Sequence, residues 1–570
     1  MDHTKHWNIY CAICSTLLFC VFGWDAIAHG GVIGFEGAEI WAFVWGHHWM
    51  HLSLSDFSWP YDTQLLDYPN GGVLWLKDPI MLVLMHPFRM IFGIPFAVLF
   101  SQYLLFLLAS MSVFWICRHH RLPNTVALFC ALAYAYCPHA LGEAYNGNLE
   151  ALSHGWLPLW FLSWIRLIDT PNPRNTIISS VALFGLLLSN QYWGIAMVFA
   201  GLFSIPLVWK QSFRSMAWIF SSVLCGGLLF SPVAYLIWKS LHAMPRLNDV
   251  TAGDVPMQPP YLSDLREVFF PLSSINPTPF QDLIYIGIMI MALSFLAPKY
   301  NRTIYYKWLY PILGWFYVLL MCGPFLYFNG ELVLSQTGEN YPLLWYYLFQ
   351  NNEGLNWMTL PHRMAIPAML FLTISAGMAL SSLRKRTLIA VFCLLEIWLY
   401  PSYEIPLEHT SFPSSLHTKI LKEAPEGAAI NIPVNLYSNH QRKYLWFQTQ
   451  HHKPIADHFR YSMFPQIAEK SAFLEFSRSI TIAPLPSIKN PDPLQIKALY
   501  SHGFRYIVIH TEFVKEQHHI EPDTYIAWMN LHLGEGVILD DVVLYPLDAS
   551  LLNELLPFGT SSFSKGLPTQ

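Results

Sequence analysis

Charge is scarce in this sequence. Asp, Glu, Lys and Arg account for 12% of its 570 residues, whereas a typical soluble domain carries about 25%. That scarcity excludes an ordinary water-soluble enzyme for most of the chain. A basic field is missing too: the formal net charge is −5, which argues against nucleic acid as a partner. Cysteines are few and lie in the wrong places for a framework. Cys11, Cys14, Cys20, Cys117, Cys130, Cys137, Cys225, Cys322 and Cys393 all fall in apolar segments. That excludes a disulfide scaffold or a cysteine zinc site and leaves small buried hydrophobes. Internal repeats are absent. Asn301-Arg302-Thr303 is the one glycosylation sequon with a non-proline middle residue. It falls on the predicted cytoplasmic side, so the outer regions lack both sequons and disulfides. This pattern fits a bacterial inner membrane facing a periplasm.

Apolar residues are abundant. They make up 54% of the chain, and the mean hydropathy is +0.34, which points to a bilayer as solvent. Runs long enough to suggest spans cover about 9–28, 94–117, 124–138, 155–168, 176–189, 193–209, 215–238, 282–298, 307–328, 364–381 and 387–401. The first reads as a retained signal anchor, because the run is long and no small-residue cleavage site follows. Orientation follows from Lys and Arg. With the N-terminus inside, Lys5, Arg118, Arg121, Arg166, Arg174, Lys210, Arg214, Lys299, Arg302, Lys307, Arg384, Lys385 and Arg386 all face the cytoplasm. Every short basic turn lands on one side. This predicts about eleven transmembrane helices and a C-terminus outside.

The outer segments hold most of the polar inventory. They cover about 29–93, 139–154, 239–281 and 329–363, and the turn Ser189–Gly194 joins two spans. From about Tyr403 hydropathy falls. Strands are expected over 428–434 and 505–510, and a hairpin over 537–547, with helices near 415–424 and 441–452. Helices alternating with β-branched runs predict a C-terminal soluble α/β domain. It has no glycine-rich phosphate loop, no GxSxG and no HExxH. The expected organisation is a membrane domain over 1–402 and a periplasmic domain over 403–570.

Several constellations could carry chemistry. Glu36 and Glu39 lie three apart just beyond the first span, on one face if helical. A carboxylate there can act as general base toward a hydroxyl, or simply cap a helix. His47 and His51 have the spacing of a metal pair, though interfacial histidines look the same. The turn around Asp67, Asn70, Gly71 and Gly72, followed by Lys77 and Asp78, is of a kind that loops need anyway. The second outer segment packs Glu143, Asn146, Asn148, Glu150 and His154 into a dozen residues. Polar groups between short spans are costly unless they face water or pair with one another. His362 and Arg363 stand at the mouth of a span, where an arginine can bind phosphate or snorkel. In the tail, Asp457, His458 and His510 lack the spacing of a catalytic or metal motif.

Taken in order, GFEGAE, DYPNGG, NGNLEALSHGWLPLWF, NWMTLPHRMAIPAML, KPIADH and GFRYIVIHTEF resemble the GT-C type of membrane glycosyltransferases, over nearly the whole chain. The resemblance implies sugar transfer from a polyprenyl-phosphate carrier at the outer membrane face, inverting at the anomeric carbon, with a hexosyl or pentosyl group moving. Glu36, with Glu39 second, would be the base; the family usually has aspartate there. Arg363, with His362, would hold the donor phosphate. Asp67, Asn148, Glu150 and His154 would bind substrate or a divalent cation, the identity of any metal being open. Trp59 and Tyr61 would stack on sugar faces. The partners implied are a polyprenyl-phosphate-linked sugar, a glycan, lipid or protein acceptor, and membrane lipids. A lipid or polysaccharide transporter and a non-catalytic membrane scaffold share the same topology, although transporters usually show paired halves.

Overall fold

A computed structural model describes residues 3–35, 39–66, 68–69, 71–73, 76, 78–208, 213–243, 264–270, 284–300, 306–329, 331–352, 355, 358, 360–399, 404–432, 443–456, 499–518, 521–539 and 541–547. The chain forms two compact units. One comprises 1–36, 77–238 and 248–411; the other comprises 37–76, 239–247 and 412–570.

The first unit is helical. Each apolar run expected from the sequence carries a helix, among them His3–Phe22, Pro79–His119, Asn124–Ala135, Trp156–Asp169 and Phe213–Ala243. Among the described residues, four stretches are long and apolar enough to cross a membrane: Pro79–His119, Asn124–Tyr145, Ser215–Leu236 and Pro361–Leu380. His6–Phe22, Gln191–Phe203 and Ile288–Pro298 are shorter apolar helices. A helix is the natural choice in hydrocarbon because it satisfies its own backbone. The helix Pro79–His119 begins well before the expected span. Asp78 caps it, accepting from the Met81 amide at 3.3 Å, and Pro79 sits where no amide is needed. Gly93, at φ 85°, breaks it into two arms. The first arm leaves Leu84, Met90, Ile91 and Phe92 exposed, an apolar face suited to lipid.

The helix Ala365–Leu380 behaves oppositely, with every residue buried. It packs against Asn124–Ala135, Ile288–Tyr300 and Tyr306–Met321. Small residues allow that approach: a Cβ on Gly377 would come within 2.4 Å of the Cys130 sulfur. Arg363 stands in the short turn Pro361–Met364 at the start of this central helix.

The second unit holds a four-stranded sheet in the order Ala428–Ile432, Phe504–His510, Val542–Pro546, Val537–Leu539. The first pair is parallel, with Ile430 opposite Ile507; the others are antiparallel. All five residues of Ala428–Ile432 are buried, as a parallel strand covered on both faces should be. Ile430, Ile432, Ile507, Ile509 and Val543 join Val514 and Met529 in one core. The strands, and the helices Leu416–Glu423 and Lys443–His451, lie where the sequence placed them. This unit also takes in residues 37–76. Trp45 on the helix Ile40–Ser55 donates to Gln448 at 2.7 Å, and Ile455 and Leu65 share a backbone bond of 2.9 Å.

Candidate functional site

A group of polar residues of the first unit gathers where residues 139–154 meet the start of the central helix. The segment folds as short pieces, Pro138–Tyr145, Leu149–Leu152 and Ser153–Gly155, turned by Gly147 at φ 65°. Gly34, at φ 140°, lies against Gly147, and a Cβ there would touch the Gly147 Cα at 3.4 Å. Phe35 then donates its amide to the Tyr145 carbonyl at 3.0 Å, and the two rings stack with centroids 5.2 Å apart. Thr410 Oγ1 donates to the carbonyls of Gly34 and Phe35 at 2.8 and 3.0 Å. The chain directly before Glu36 is thus fixed to the segment that carries Asn148 and Glu150. Glu36 and Asp67 themselves lie outside the described residues, as do Asp457 and His458.

Arg363 donates from Nη1 to Glu150 Oε1 at 3.3 Å, and both side chains are 7% exposed. The Tyr192 ring lies 4.9 Å from the Arg363 guanidinium carbon, a cation–π arrangement. Asn190 donates its side-chain amide to the Glu150 carbonyl at 3.1 Å and accepts from the Tyr192 amide at 2.9 Å. Asn148 donates to Glu143 Oε2 at 2.9 Å. The other Glu143 oxygen lies 3.5 Å from His139 Nε2, and the His139 and His362 rings are 5.8 Å apart. Asn148, Glu150, His362 and Arg363 are all buried; Glu150 meets Arg363 directly, while Asn148 meets Glu143 and His362 lies beside His139.

The remaining candidates behave differently. His154 is buried, takes Leu152 as its hydrogen-bond partner at 2.8 Å, and packs its ring on Phe106 and Tyr134. Glu39 precedes the helix Ile40–Ser55 and belongs to the second unit. His47 and His51 lie on that same helix. Among the described residues they are not part of any three-donor cluster of a kind that holds a metal.

Sequence reasoning took Asp78 only as part of a loop. It is 2% exposed and adopts φ 43°. Its Oδ1 accepts from Ser189 Oγ at 3.1 Å, while its buried Oδ2 has no hydrogen-bond partner. Burial pushes its carboxyl up from 3.8 to about 6, and the nearby Glu150 charge adds to that shift, against hydrogen bonds from Met81 and Ser189. An acid directly before a proline that opens a long apolar helix was the available signal. Ser189, Asn190 and Tyr192 came from the short Ser189–Gly194 turn, which reads as an ordinary connection. Three buried acids (Glu143, Glu150 and Asp78), one arginine and the side-chain amides of Asn148 and Asn190 thus gather in this part of the first unit.

No protein-family model matches the chain. No curated protein matches it either. Solved structures do. The arabinofuranosyltransferase AftD from Mycobacteria aligns with a TM-score of 0.56 and 13% identity, over 96% of this chain and 40% of that one. This chain therefore spans less than half the length of that structure. ArnT from Cupriavidus metallidurans bound to undecaprenyl phosphate aligns with a TM-score of 0.48 and 12% identity, over 96% and 99% of the two chains. The Archaeoglobus fulgidus oligosaccharyltransferase in complex with zinc and sulfate gives 0.48 and 12%, over 93% and 70%. The fold is that of a GT-C type membrane glycosyltransferase, as the sequence motifs led us to expect. The chain is a multi-pass membrane protein.

Proposed function

We propose that this protein transfers a sugar from a polyprenyl-phosphate carrier to an acceptor in the periplasm or cell envelope. The observation that carries the reading is the buried Arg363–Glu150 pair, placed at the start of a fully buried helix beside the segment to which Phe35 is fixed. A buried arginine is costly without a partner, and an anionic donor phosphate can take over part of the role of Glu150. In the proposed step the Glu36 carboxylate removes the proton from an acceptor hydroxyl. The hydroxyl oxygen attacks the anomeric carbon from the face opposite the phosphate. The bond from that carbon to the phosphate oxygen breaks, and its electron pair leaves on the carrier phosphate, whose charge Arg363 stabilises. The anomeric configuration inverts. Asn148, His362 and Glu150 position the donor. His154 positions aromatic neighbours of the site.

The proposed arrangement has about eleven spans, a cytoplasmic N-terminus, a membrane domain over 1–402 and a periplasmic domain over 403–570, in a bacterial inner membrane. Alkaline phosphatase fused after residue 402 is expected to be active, and an inactive fusion would overturn this topology.

The function is tested with full-length protein in nanodiscs and a panel of labelled polyprenyl-phosphate hexoses and pentoses. Mass spectrometry of surface glycans from a deletion strain identifies the acceptor. Glu36→Gln and Arg363→Ala are each expected to abolish transfer. Carrier movement across proteoliposomes that is unaffected by Glu36→Gln would instead support transport, and loss of an assembly partner with glycans intact would support a scaffold.

A further inference from the structure

The outer end of the first apolar helix carries a second cluster that the proposed transfer does not use. The helix His3–Phe22 is followed by a short helix, Trp24–His29. Asp25 and His29 are four apart on it, so their side chains share a face. Gly30, at φ 67°, ends it in the left-handed conformation, and the chain turns into the strand Val32–Ile33. That strand pairs antiparallel with His409–Thr410, Ile33 lying opposite His409. Gly31 permits the approach, since a Cβ there would come within 2.8 Å of the His409 ring and 2.6 Å of the Thr410 carbonyl. His409 is thereby brought to Asp25 across 384 residues of sequence.

The three side chains converge. His409 Nδ1 lies 2.7 Å from Asp25 Oδ2, and His29 Nδ1 lies 3.3 Å from Asp25 Oδ1. The two imidazoles stack nearly parallel, 4.8 Å between centroids. One donor atom from each residue lies within 4.8 Å of the other two. Metal–nitrogen and metal–oxygen bonds of about 2.0–2.2 Å in a tetrahedral site place donors ~3.4 Å apart. Rotation of the rings must draw the most distant donors together by up to ~1.4 Å to reach that spacing. The cluster is also open to solvent, His29 being 60% exposed and Asp25 36%, so an ion can enter.

We propose that Asp25, His29 and His409 form a binding site for a first-row divalent ion, zinc being the best match to two imidazoles and one carboxylate. Each neutral ring moves its proton to Nε2 and offers the Nδ1 lone pair to the ion. Asp25 contributes a carboxylate oxygen, and water fills the remaining position. The hydrogen bonds from His409 Nδ1 to the Asp25 carboxylate and from His29 Nδ1 to the Asp25 backbone carbonyl are replaced by metal bonds. The ion clamps the outer end of the first helix to the strand at 409–410, from which Thr410 also holds Gly34 and Phe35. The site is separate from the Arg363–Glu150 pair and does not depend on the function proposed for that pair.

The test uses full-length protein in detergent, stripped with chelator and titrated with cobalt(II) as a spectroscopic probe, with zinc(II) as competitor. Bound metal is counted by mass spectrometry. The wild type is expected to show a zinc-displaceable cobalt spectrum of nitrogen–oxygen type. His29→Gln and His409→Gln are each expected to weaken that site by at least about 10–100-fold, the loss seen when even supporting groups of metal sites are removed, and Asp25→Asn should do likewise. Unchanged cobalt affinity and spectrum in all three variants would overturn the proposal, as would a wild type that binds no ion. Carbethoxylation of the wild type gives an answer that needs no variant. Zinc should protect His29 and His409 from modification, and equal labelling with and without zinc would refute the site.

Discussion

The tail carries a set of histidines whose burial gives the protein a defined response to acid. His417 is 1% exposed and His510 2%, and their rings lie 5.5 Å apart. Phe447 packs on both, at 4.7 and 5.4 Å. His510 is also held by Asn431 at 3.1 Å, and His417 by Ser415. Burial pushes His417 down from 6.5 to about 4. His451 and His510 are held well below the usual range, by burial first and then by His417 and nearby lysines. The unfolded chain therefore binds protons that the folded chain refuses, and stability falls as pH drops. For His417 the window runs from about 6.5 down to about 4. Moving from pH 7.5 to pH 5 costs about 2 kcal/mol from this residue, or ~30-fold in the folding equilibrium. His451 and His510 act in the same direction, though three coupled sites do not simply add. The assay is denaturant unfolding of the full-length protein in detergent at both pH values, with hydrogen exchange read in peptides covering 415–424 and 504–510. His417→Gln removes the titrating group and keeps a polar side chain. It should flatten the pH dependence of those peptides, whatever it does to stability at pH 7.5. Wild type and His417→Gln losing equal stability between the two pH values would refute the reasoning.

Three other perturbations address the first unit. Arg363→Met removes the cation from the buried pair with Glu150 and should cost ~3–5 kcal/mol, whereas adding Glu150→Gln recovers part of that; thermal melting in detergent gives both values. Gly34→Ala forces a side chain onto φ 140° beside Gly147 and should cost about 1 kcal/mol or more, and sugar transfer should fall further than thermal stability if the Phe35 anchor positions Glu36. Asp78 holds its proton up to about pH 6, so ionisation above that pH places a second negative charge near Glu150 and weakens binding of an anionic donor. Asp78→Asn should remove that step from a binding profile measured between pH 5 and pH 8.

Helix positions were legible because lipid leaves a long apolar run few choices, and each run expected from 9–28 to 387–401 does carry a helix. Strands such as Ala428–Ile432 and Phe504–His510 were legible from their β-branched runs. Arg363 and Glu150 could be picked out as polar groups too expensive to bury without purpose, yet nothing in their spacing of 213 residues says that they meet. Asp78 was read as part of a loop, and only burial beside Ser189 and Glu150 gives it a perturbed proton affinity. The same holds for Asp25, His29 and His409, where a short strand pairing closes the distance. By itself the sequence determined which segments are helix, which are strand and which side chains must avoid hydrocarbon, since those follow from local pattern and transfer energy. Tertiary structure decided which polar groups become partners and that 37–76 packs with 412–570, because those contacts arise from packing between segments far apart in the chain, where hydropathy and spacing carry no information.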